Sequence, residues 1–357
     1  MTSAPDASQR NASSNRLQAP TVAVVGATGA VGQEFLRVLE QRDFPIGQLR
    51  LLASARSAGR TVNFRKKSYV IEELTEQSFA GVDLALFSAG GSISRQYAPA
   101  AVAAGAVVVD NSSAYRMTDG VPLVVPEVNA DVVRQSGIRL GEKPGIIANP
   151  NCSTIIMLVA VTPLHRAAKV RRMVVSTYQA ASGAGAAAMA ELEEQSREVL
   201  DGRPPTMNIF PLQYAFNLFS HNSDMQPNGY NQEEMKMVDE THKIWNETEV
   251  GINATCVRVP VMRAHAESIT LEFENPLDEK IAAEILRNAP GVAITDEREH
   301  NRFPTPLDAS NRDEVFIGRI RRDISLPEGR GLSLFACGDQ IRKGAALNAV
   351  QIAELLL

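Results

Sequence analysis

The sequence predicts an α/β protein: a parallel sheet covered by helices on both faces, followed by a second domain of α+β type. In the first half of the chain, short apolar runs alternate with amphipathic stretches, which is typical of parallel sheets. These runs are Thr21–Val25, Leu49–Ala53, Leu84–Phe87, Val107–Val109 and Ile146–Ala148. After about Asn151 the pattern changes. Ser268–Glu274 alternates apolar and polar residues, as expected of a sheet with one covered face.

Further elements follow from the same patterns. A helix is expected over Val31–Gln41, and another after Pro126. In the second half, Met173–Gln179 and Thr255–Pro260 are predicted as strands. The helices predicted there are Ala187–Leu200, Glu233–Glu247 and Lys343–Leu357, the last returning to the first domain.

Composition restricts the class of protein. The chain has 357 residues, which is enough for two domains, and a net charge of -5, which argues against broad nucleic-acid binding. No apolar run approaches the roughly 20 residues of a membrane span. Three cysteines without a signal peptide indicate the reducing cytoplasm. No cluster of histidine, cysteine and carboxylate resembles a zinc site.

A glycine-rich loop between the first strand and the first helix predicts a dinucleotide site. Glycines permit a tight turn there, and the helix N-terminus offers N–H groups to a pyrophosphate. The spacing is GxxGxxG, and the expected cofactor-binding residues are Gly26, Thr28, Gly29, Ala30 and Val31. The alternative is a packing turn without a ligand. With the alternating elements, this loop indicates a Rossmann-type domain.

The end of the second strand indicates NADP as the cofactor. Sites that prefer NAD usually place a carboxylate there, to bind the ribose 2′-hydroxyl. This chain has Ser54-Ala55-Arg56-Ser57 instead. A guanidinium and hydroxyl groups suit a 2′-phosphate, so Arg56 and Ser57 are expected to bind it.

Cys152 is the predicted nucleophile. It precedes an apolar helical run, Ile155–Leu164, with Ser153 and Thr154 available as capping residues. The positive end of a helix lowers a thiol pKa and favours the thiolate. Cys256 and Cys337 lie within apolar stretches and are expected to be buried and inert.

Several segments together resemble the aspartate-semialdehyde dehydrogenase family. They are Gly26–Gly32, Asn149–Thr154, Gln179–Gly185, Asn231–Ile244, Arg258–His265 and Arg342–Ala346. The resemblance implies reversible, NADPH-dependent conversion of 4-phosphoaspartate to aspartate 4-semialdehyde and phosphate, through a thioester on Cys152. It places the enzyme in biosynthesis of lysine (through diaminopimelate), threonine, methionine and isoleucine.

The resemblance also implies roles for single residues. His265 would be the general acid and base, and Gln179 would orient the substrate carbonyl or the thiol. Arg258 would bind the substrate α-carboxylate, and Glu233 its ammonium group. The remaining substrate-binding residues would be Arg116 and Lys236, which bind phosphate, and Asn151.

Three residues would complete the cofactor site on the same resemblance. Ser182 and Gly183 would lie beside the nicotinamide half. Gln340 stands where family members often have Asn, and its longer amide would contact the cofactor in the same way. From the residues alone, Glu233 and Lys236 would instead be a surface ion pair.

The domain organisation follows from these assignments. Residues 1–20 are expected to be a disordered tail, with a remnant of a targeting peptide as the alternative. Residues 21–151, completed by a helix over 338–357, would bind NADP. Residues 152–337 would form the catalytic and dimerisation domain, giving a homodimer or a tetramer.

Three other functions share parts of this pattern. An N-acetyl-gamma-glutamyl-phosphate reductase shares the nucleotide fold and the acyl-phosphate chemistry, but an acetylated nitrogen would not require a carboxylate such as Glu233. A glyceraldehyde-phosphate dehydrogenase differs around the cysteine. A noncatalytic NADP-binding protein would lack a reactive thiol.

Overall fold

The computed structural model describes residues 19–357. These residues form two compact units, which are described separately. The first comprises residues 19–126, 130–149 and 348–357, and the second comprises residues 127–129 and 150–347. The disordered tail predicted for residues 1–20 lies outside the described residues, except for Ala19 and Pro20.

The first unit is built on a seven-stranded sheet with the order β3-β4-β2-β1-β5-β6-β7. Its strands are β1 (Thr21–Val25), β2 (Gln48–Ala53), β3 (Thr61–Phe64), β4 (Lys67–Glu73), β5 (Leu84–Phe87), β6 (Val107–Asp110) and β7 (Gly145–Ala148). Its helices up to residue 149 are α1 (Ala30–Gln41), α2 (Gly91–Ala103), α3 (Pro126–Asn129, which runs into the second unit) and α4 (Asp131–Ser136). The predicted Rossmann-type fold is confirmed.

One edge of this sheet differs from the prediction. All neighbouring strands pair in parallel except β3, which pairs antiparallel with β4 through Thr61↔Val70 to Phe64↔Lys67. The sequence pattern does not predict this hairpin because most residues of both strands are exposed or partly exposed, so they form no continuous apolar run.

The second unit contains a mixed seven-stranded sheet with the order β12-β13-β14-β11-β8-β10-β9. Its strands are β8 (Val170–Gln179), β9 (Phe219–Ser220), β10 (Gly251–Arg258), β11 (His265–Phe273), β12 (Val292–Ile294), β13 (Val315–Arg322) and β14 (Gly331–Gly338). Its helices are α5 (Cys152–Ala168), α6 (Ala186–Leu200), α7 (Gln232–Trp245), α8 (Glu279–Arg287) and α9 (Pro306–Ala309). Strands β12 to β14 and helix α8 were not predicted.

Helix α5 provides the core of this unit. Thirteen of its 17 residues are buried, and it contacts β8, β11, β13 and β14. A helix that is apolar on nearly every side must be enclosed by other elements. The sheet therefore holds the start of α5, where Cys152 lies, in a fixed position.

The return of the chain to the first unit begins later than predicted. The first unit resumes at Asn348, ten residues after the predicted boundary at 338, with helix α10 (Leu347–Glu354). Gly338 is still the last residue of β14, paired with His265. Residues 342–346 form a π-helical turn that contacts α5, so they belong to the second unit.

Candidate active site

The glycine loop connects β1 to α1 at the point where the strand order reverses. Strand β1 pairs with β2 on one side and with β5 on the other, the arrangement in which open parallel sheets bind ligands. Gly26 has φ +86°, and a Cβ there would lie 3.0 Å from the backbone of Ser88. Glycine is thus required at residue 26 by conformation and by space.

The start of α1 fits an anionic ligand. Gly29 is its N-cap without a side-chain capping bond, and the first turn holds no acidic residue. A Cβ on Gly32 would lie 2.2 Å from the carbonyl oxygen of Gly26, so glycine also permits the close packing of helix on strand. Thr28 is exposed, and Ala30 and Val31 form the first turn. This loop can receive a pyrophosphate on backbone N–H groups.

Arg56 and Ser57 lie in the turn after β2. The turn is closed by hydrogen bonds from the N–H groups of Ser57 and Ala58 to the carbonyl of Ser54. Arg56 is exposed, and its guanidinium has no hydrogen-bond or ion-pair partner within residues 19–357. A guanidinium with unused donors at this position fits a phosphate ligand.

Cys152 is the first residue of α5, as the sequence indicates, and it is half-buried. The capping prediction was wrong. Asn151 is the N-cap, and its side-chain oxygen accepts hydrogen bonds from the N–H groups of Ser153 (3.0 Å) and Thr154 (3.4 Å). An N-cap must precede the first helical residue, and the helix starts earlier than Ser153.

Gly344 packs directly against Cys152. A Cβ on Gly344 would lie 2.8 Å from Cβ of Cys152 and 3.2 Å from its Cα. Gly344 belongs to the π-helical turn of residues 342–346, and such turns often occur at functional sites. No local pattern indicates this contact, because the two residues are far apart in the chain.

Glu233 joins three of the predicted site residues. Its Oε1 accepts hydrogen bonds from Nδ2 of Asn151 (2.9 Å) and Nε2 of Gln179 (3.3 Å). Its Oε2 accepts one from Nζ of Lys236 (2.9 Å). Gln179 also donates to the hydroxyl of Ser153 (3.0 Å). The ion pair expected on a surface therefore lies inside a buried polar cluster.

The electrostatics of this cluster keep Glu233 ionised. Burial alone would raise the pKa of Glu233, but the charge of Lys236, the proximity of His221 and the hydrogen bonds hold it well below its usual value. A second buried carboxylate, Glu240, accepts a hydrogen bond from the N–H of Asn151 (2.6 Å). The start of α5 is thus fixed by two carboxylates of α7.

Arg258 lies at the end of β10 and is almost completely buried. Its Nη1 donates to the carbonyl of Ala180 (3.4 Å), and its Nε donates to Oδ1 of Asn222 (3.3 Å). Burial lowers the pKa of Arg258, and the charges of Glu233 and Cys152 oppose that effect. It is the fixed positive charge of the site, suited to a carboxylate ligand.

His265 begins β11 and is fully buried. Its Nδ1 accepts a hydrogen bond from the N–H of Ala180 (3.0 Å), so the neutral ring carries its proton on Nε2. Nε2 has no hydrogen-bond partner among the residues described. Burial and the charge of Arg258 lower the pKa of His265 to about 3. The resting ring is a neutral donor at Nε2.

Gly183 marks the point at which these two side chains converge. A Cβ on Gly183 would lie 3.1 Å from Nε2 of His265 and 3.2 Å from Nη1 of Arg258. Ser182, the residue before it, is buried, and its hydroxyl accepts a hydrogen bond from Nε2 of Gln340. The missing side chain of Gly183 leaves space beside a proton donor and a positive charge.

Arg116 lies in the first unit and is buried. Its Nε donates to the carbonyl of Asn149 (2.9 Å), and its Nη2 donates to the carbonyl of Asn111 (2.8 Å). These bonds fix the guanidinium on its own unit. The predicted pairing of Arg116 with Lys236 on phosphate stays a prediction.

Sequence reasoning missed residues that complete the cluster. His221 is close enough to Arg258 and Glu233 to interact with their charges, and burial and Arg258 lower the pKa of His221 to about 4. Asn222, its neighbour, bonds Arg258. Tyr214 donates its hydroxyl to the carbonyl of Gln179 (3.3 Å). No motif in the sequence links these loop residues to the strands that they contact, so local sequence patterns could not predict them.

The other two cysteines are buried, as predicted. Burial raises the pKa of both the Cys256 and the Cys337 thiol. A thiol that does not ionise is a poor nucleophile. Cys152 is therefore distinguished from them by its position at a helix start and by its accessibility.

Comparisons with known proteins agree with this geometry. The family described as semialdehyde dehydrogenase, NAD binding domain, matches residues 21–136, and semialdehyde dehydrogenase, dimerisation domain, matches residues 161–343. The chain belongs to the semialdehyde dehydrogenase family. A curated aspartate-semialdehyde dehydrogenase from Prochlorococcus marinus is 53% identical over 94% of this chain and 96% of its own length.

Solved structures of the family are similar throughout. Aspartate semialdehyde dehydrogenase II from Vibrio cholerae, complexed with ASA, has a TM-score of 0.89 and 45% identity, covering 95% of this chain and 98% of that one. The enzyme from Candida albicans, solved with NADP, has a TM-score of 0.73 and 26% identity, covering 95% of this chain and 98% of that one.

Within residues 19–357, none of the helices has the length and apolar character that crossing a bilayer demands.

Proposed function

We propose that this chain is an aspartate-semialdehyde dehydrogenase that interconverts 4-phosphoaspartate and aspartate 4-semialdehyde with NADP(H). The observation that carries the proposal is the cluster of Cys152, Gln179, Glu233, Arg258 and His265 within one unit. Family membership and the activity named for the similar enzymes support it. The proposed pathway is the biosynthesis of lysine, threonine, methionine and isoleucine.

Cys152 is the proposed nucleophile. In the biosynthetic direction its thiolate attacks the acyl carbon of 4-phosphoaspartate, and the C–O bond to phosphate breaks, which leaves a thioester. NADPH supplies the hydride that reduces the thioester carbon. A thioester keeps the acyl group reactive between the two steps.

His265 is the proposed hydrogen-bond donor to the reacting carbonyl oxygen. Its neutral ring carries a proton on Nε2, because Nδ1 accepts the N–H of Ala180. This N–H stabilises the tetrahedral oxyanion that forms when hydride is added to the thioester carbon. Collapse of that oxyanion breaks the C–S bond and releases the aldehyde and the Cys152 thiolate. In the opposite direction the same N–H stabilises the oxyanion that forms when the thiolate attacks the aldehyde.

Substrate binding is proposed to use separate charged anchors. Arg258 binds the α-carboxylate, Glu233 binds the ammonium group, and Asn151 and Gln179 orient the acyl group. Lys236 is the proposed phosphate ligand of the second unit, and Arg116 that of the first. Glu233 is ionised and pairs with the partly exposed Lys236, so a ligand at this point meets charges of both signs.

The proposed cofactor is NADP, bound by the first unit. The glycine loop from Gly26 to Val31 holds the pyrophosphate, while Arg56 and Ser57 hold the 2′-phosphate. The N–H groups of Gly26, Ala27 and Gly29 bond backbone carbonyls, so the proposed donors to the pyrophosphate are those of Thr28, Ala30 and Val31. Ser182 and Gly183, together with Gln340 through its bond to Ser182, border the nicotinamide half. The Candida albicans enzyme solved with NADP supports this choice.

The proposed assembly is a homodimer, or a tetramer built from dimers. Large apolar side chains are exposed in one segment of the second unit: Leu200, Met207, Ile209, Leu212, Phe216, Leu218 and Met225. Such a concentration indicates a surface covered by another chain. The three cysteines, none in a disulfide, are consistent with a cytoplasmic protein.

The activity is tested by following NADPH formation from aspartate 4-semialdehyde with and without phosphate. We expect turnover that requires phosphate and that is lost in Cys152→Ser. N-acetylglutamate semialdehyde is the matched substrate, and we expect little turnover with it because its acetylated nitrogen carries no positive charge for the Glu233 carboxylate to bind. Preference for the acetylated substrate, or turnover without phosphate, would contradict the proposal.

A further inference from the structure

The segment that precedes His265 is held by side chains where the strand ladder ends. Strands β11 and β14 pair from Glu272↔Gly331 to His265↔Gly338, and no further pair follows. One residue beyond His265, the N–H of Ala264 donates to Oε1 of Gln340 (3.0 Å). The side chain of Gln340 thus satisfies a buried N–H that the sheet no longer pairs.

Ala264 has an unusual backbone conformation. Its φ is +70°, in the left-handed region that residues with a Cβ rarely adopt, and it is completely buried. Such a conformation persists only where the surroundings enforce it. Because Ala264 is joined directly to His265, its backbone angles set the direction from which the imidazole enters the site.

The nitrogen of the Gln340 amide bonds a second segment of the site. Nε2 of Gln340 donates to the hydroxyl of Ser182, the residue before Gly183. Gly183 faces Nε2 of His265. One buried side chain therefore connects the residue that orients the imidazole to the loop beside its proton-donating nitrogen.

We propose that Gln340 is a positioning residue for His265, acting by holding Ala264 in its left-handed conformation and by fixing the loop at Ser182. This inference rests on the proposed role of His265 as the hydrogen-bond donor to the reacting carbonyl oxygen. It gives Gln340 a function within the second unit in addition to its proposed place beside the cofactor.

A double-mutant cycle tests the coupling. Gln340→Leu removes both hydrogen bonds and is expected to lower kcat by about 10- to 100-fold through misplacement of the imidazole, with a smaller change in KM for the semialdehyde. Glycine adopts the left-handed conformation without support. In an Ala264→Gly background, the loss caused by Gln340→Leu should therefore be several-fold smaller. Independent, multiplicative effects of the two changes would overturn the proposal.

A second readout does not depend on turnover. The N–H of Ala180 donates to Nδ1 of His265, so its hydrogen exchange reports the position of the ring. We expect faster exchange at Ala180 in Gln340→Leu and recovery with Ala264→Gly. Wild-type exchange in Gln340→Leu would overturn the proposal. If the wild type has no activity on aspartate 4-semialdehyde, the proposed function is wrong. The hydrogen exchange at Ala180 still tests whether Gln340 positions His265.

Folding is controlled with a smaller change. Gln340→Asn keeps the amide but shortens it, so it is the variant to use if Gln340→Leu does not fold. We expect the same two effects in reduced size. Wild-type kcat and exchange in a folded Gln340→Asn protein would contradict the requirement for the longer side chain.

Discussion

Two adjacent rows of the second sheet differ sharply in chemistry. Strands β10, β8 and β11 each contribute one residue to the row at the site and another, two residues away, to the row in the sheet interior. The site row consists of Arg258, Gln179 and His265, and the interior row consists of Cys256, Thr177 and Glu267. The side chains of both rows are buried, so burial alone does not make a site.

The contrast is clearest between the carboxylates of the two regions. Glu233, beside the site row, accepts three hydrogen bonds and has a lowered pKa because neighbouring positive charge outweighs its burial. Neither oxygen of Glu267 has a hydrogen-bond partner among the residues described, and burial raises its pKa well above the usual value. Partners, and not depth, decide whether a buried carboxyl is charged.

The largest expected effect separates the two cysteines. Iodoacetamide should alkylate Cys152 and abolish activity, while Cys256 stays unmodified because burial raises its pKa and blocks access. Peptide mass spectrometry of the native protein, with residual activity measured in parallel, gives the result. Complete inactivation with the label on Cys256 would show that Cys256, and not Cys152, is the reactive cysteine.

The next effect separates the two carboxylates in catalysis. Glu233→Gln removes the charge that pairs with Lys236 and that we propose binds the substrate ammonium, so kcat/KM should fall by about 10- to 100-fold. Glu267→Gln is the matched change in the interior row and should alter kcat/KM by less than about threefold. Steady-state kinetics of both variants measures these changes. Equal losses of kcat/KM would show that the two rows are not functionally distinct.

A smaller effect concerns stability. The pKa of Glu267 is raised on folding, so the native state keeps a proton that the unfolded state loses, and stability falls as pH rises above the unfolded pKa of about 4.3. The loss is about 1.4 kcal/mol per pH unit until the native carboxyl ionises. Glu267→Gln lacks this loss.

Melting temperatures of wild type and Glu267→Gln, measured from pH 5 to pH 8, check this expectation. The melting temperature of the variant should rise relative to that of the wild type by roughly 2 °C per pH unit as pH rises. A constant difference across that range would mean that Glu267 is ionised in the native protein like Glu233.

The smallest expected change is at His265. With a pKa lowered to about 3, its ring stays neutral from pH 5 to pH 9. Its ¹⁵N resonances, assigned with His265→Asn, should stay fixed and show the proton on Nε2. Titration of that ring near pH 6.5 would contradict the hydrogen bond from Ala180 to Nδ1.

The elements predicted correctly are those that a local pattern of residues encodes. Strand β1 was placed correctly and helix α1 to within one residue, because an apolar run, a glycine turn and an amphipathic period follow directly on each other. Cys152 was placed at a helix start for the same reason. The hairpin of β3 and β4 was missed because its strands are mostly exposed. The end of the second unit was misplaced because residues 342–346 form a π-helical turn that packs on α5.

The site beyond these local signals was predicted by family resemblance and not by residue pattern. Alone, Glu233 and Lys236 form an i,i+3 pair typical of a surface, and nothing local shows that Asn151 and Gln179 contact the same carboxylate. Gly344 and His221 reach the site by contacts between distant segments. Such contacts depend on the tertiary fold, which spacing along the chain does not record.

The most direct test is a single turnover without phosphate. Enzyme mixed with NADP and aspartate 4-semialdehyde should form about one equivalent of NADPH per active site and carry an aspartyl group on the Cys152 peptide, which phosphate then releases as 4-phosphoaspartate. A burst with that adduct establishes the thioester. NADPH formation without any adduct on Cys152, or an adduct that phosphate does not release, would contradict the proposed mechanism.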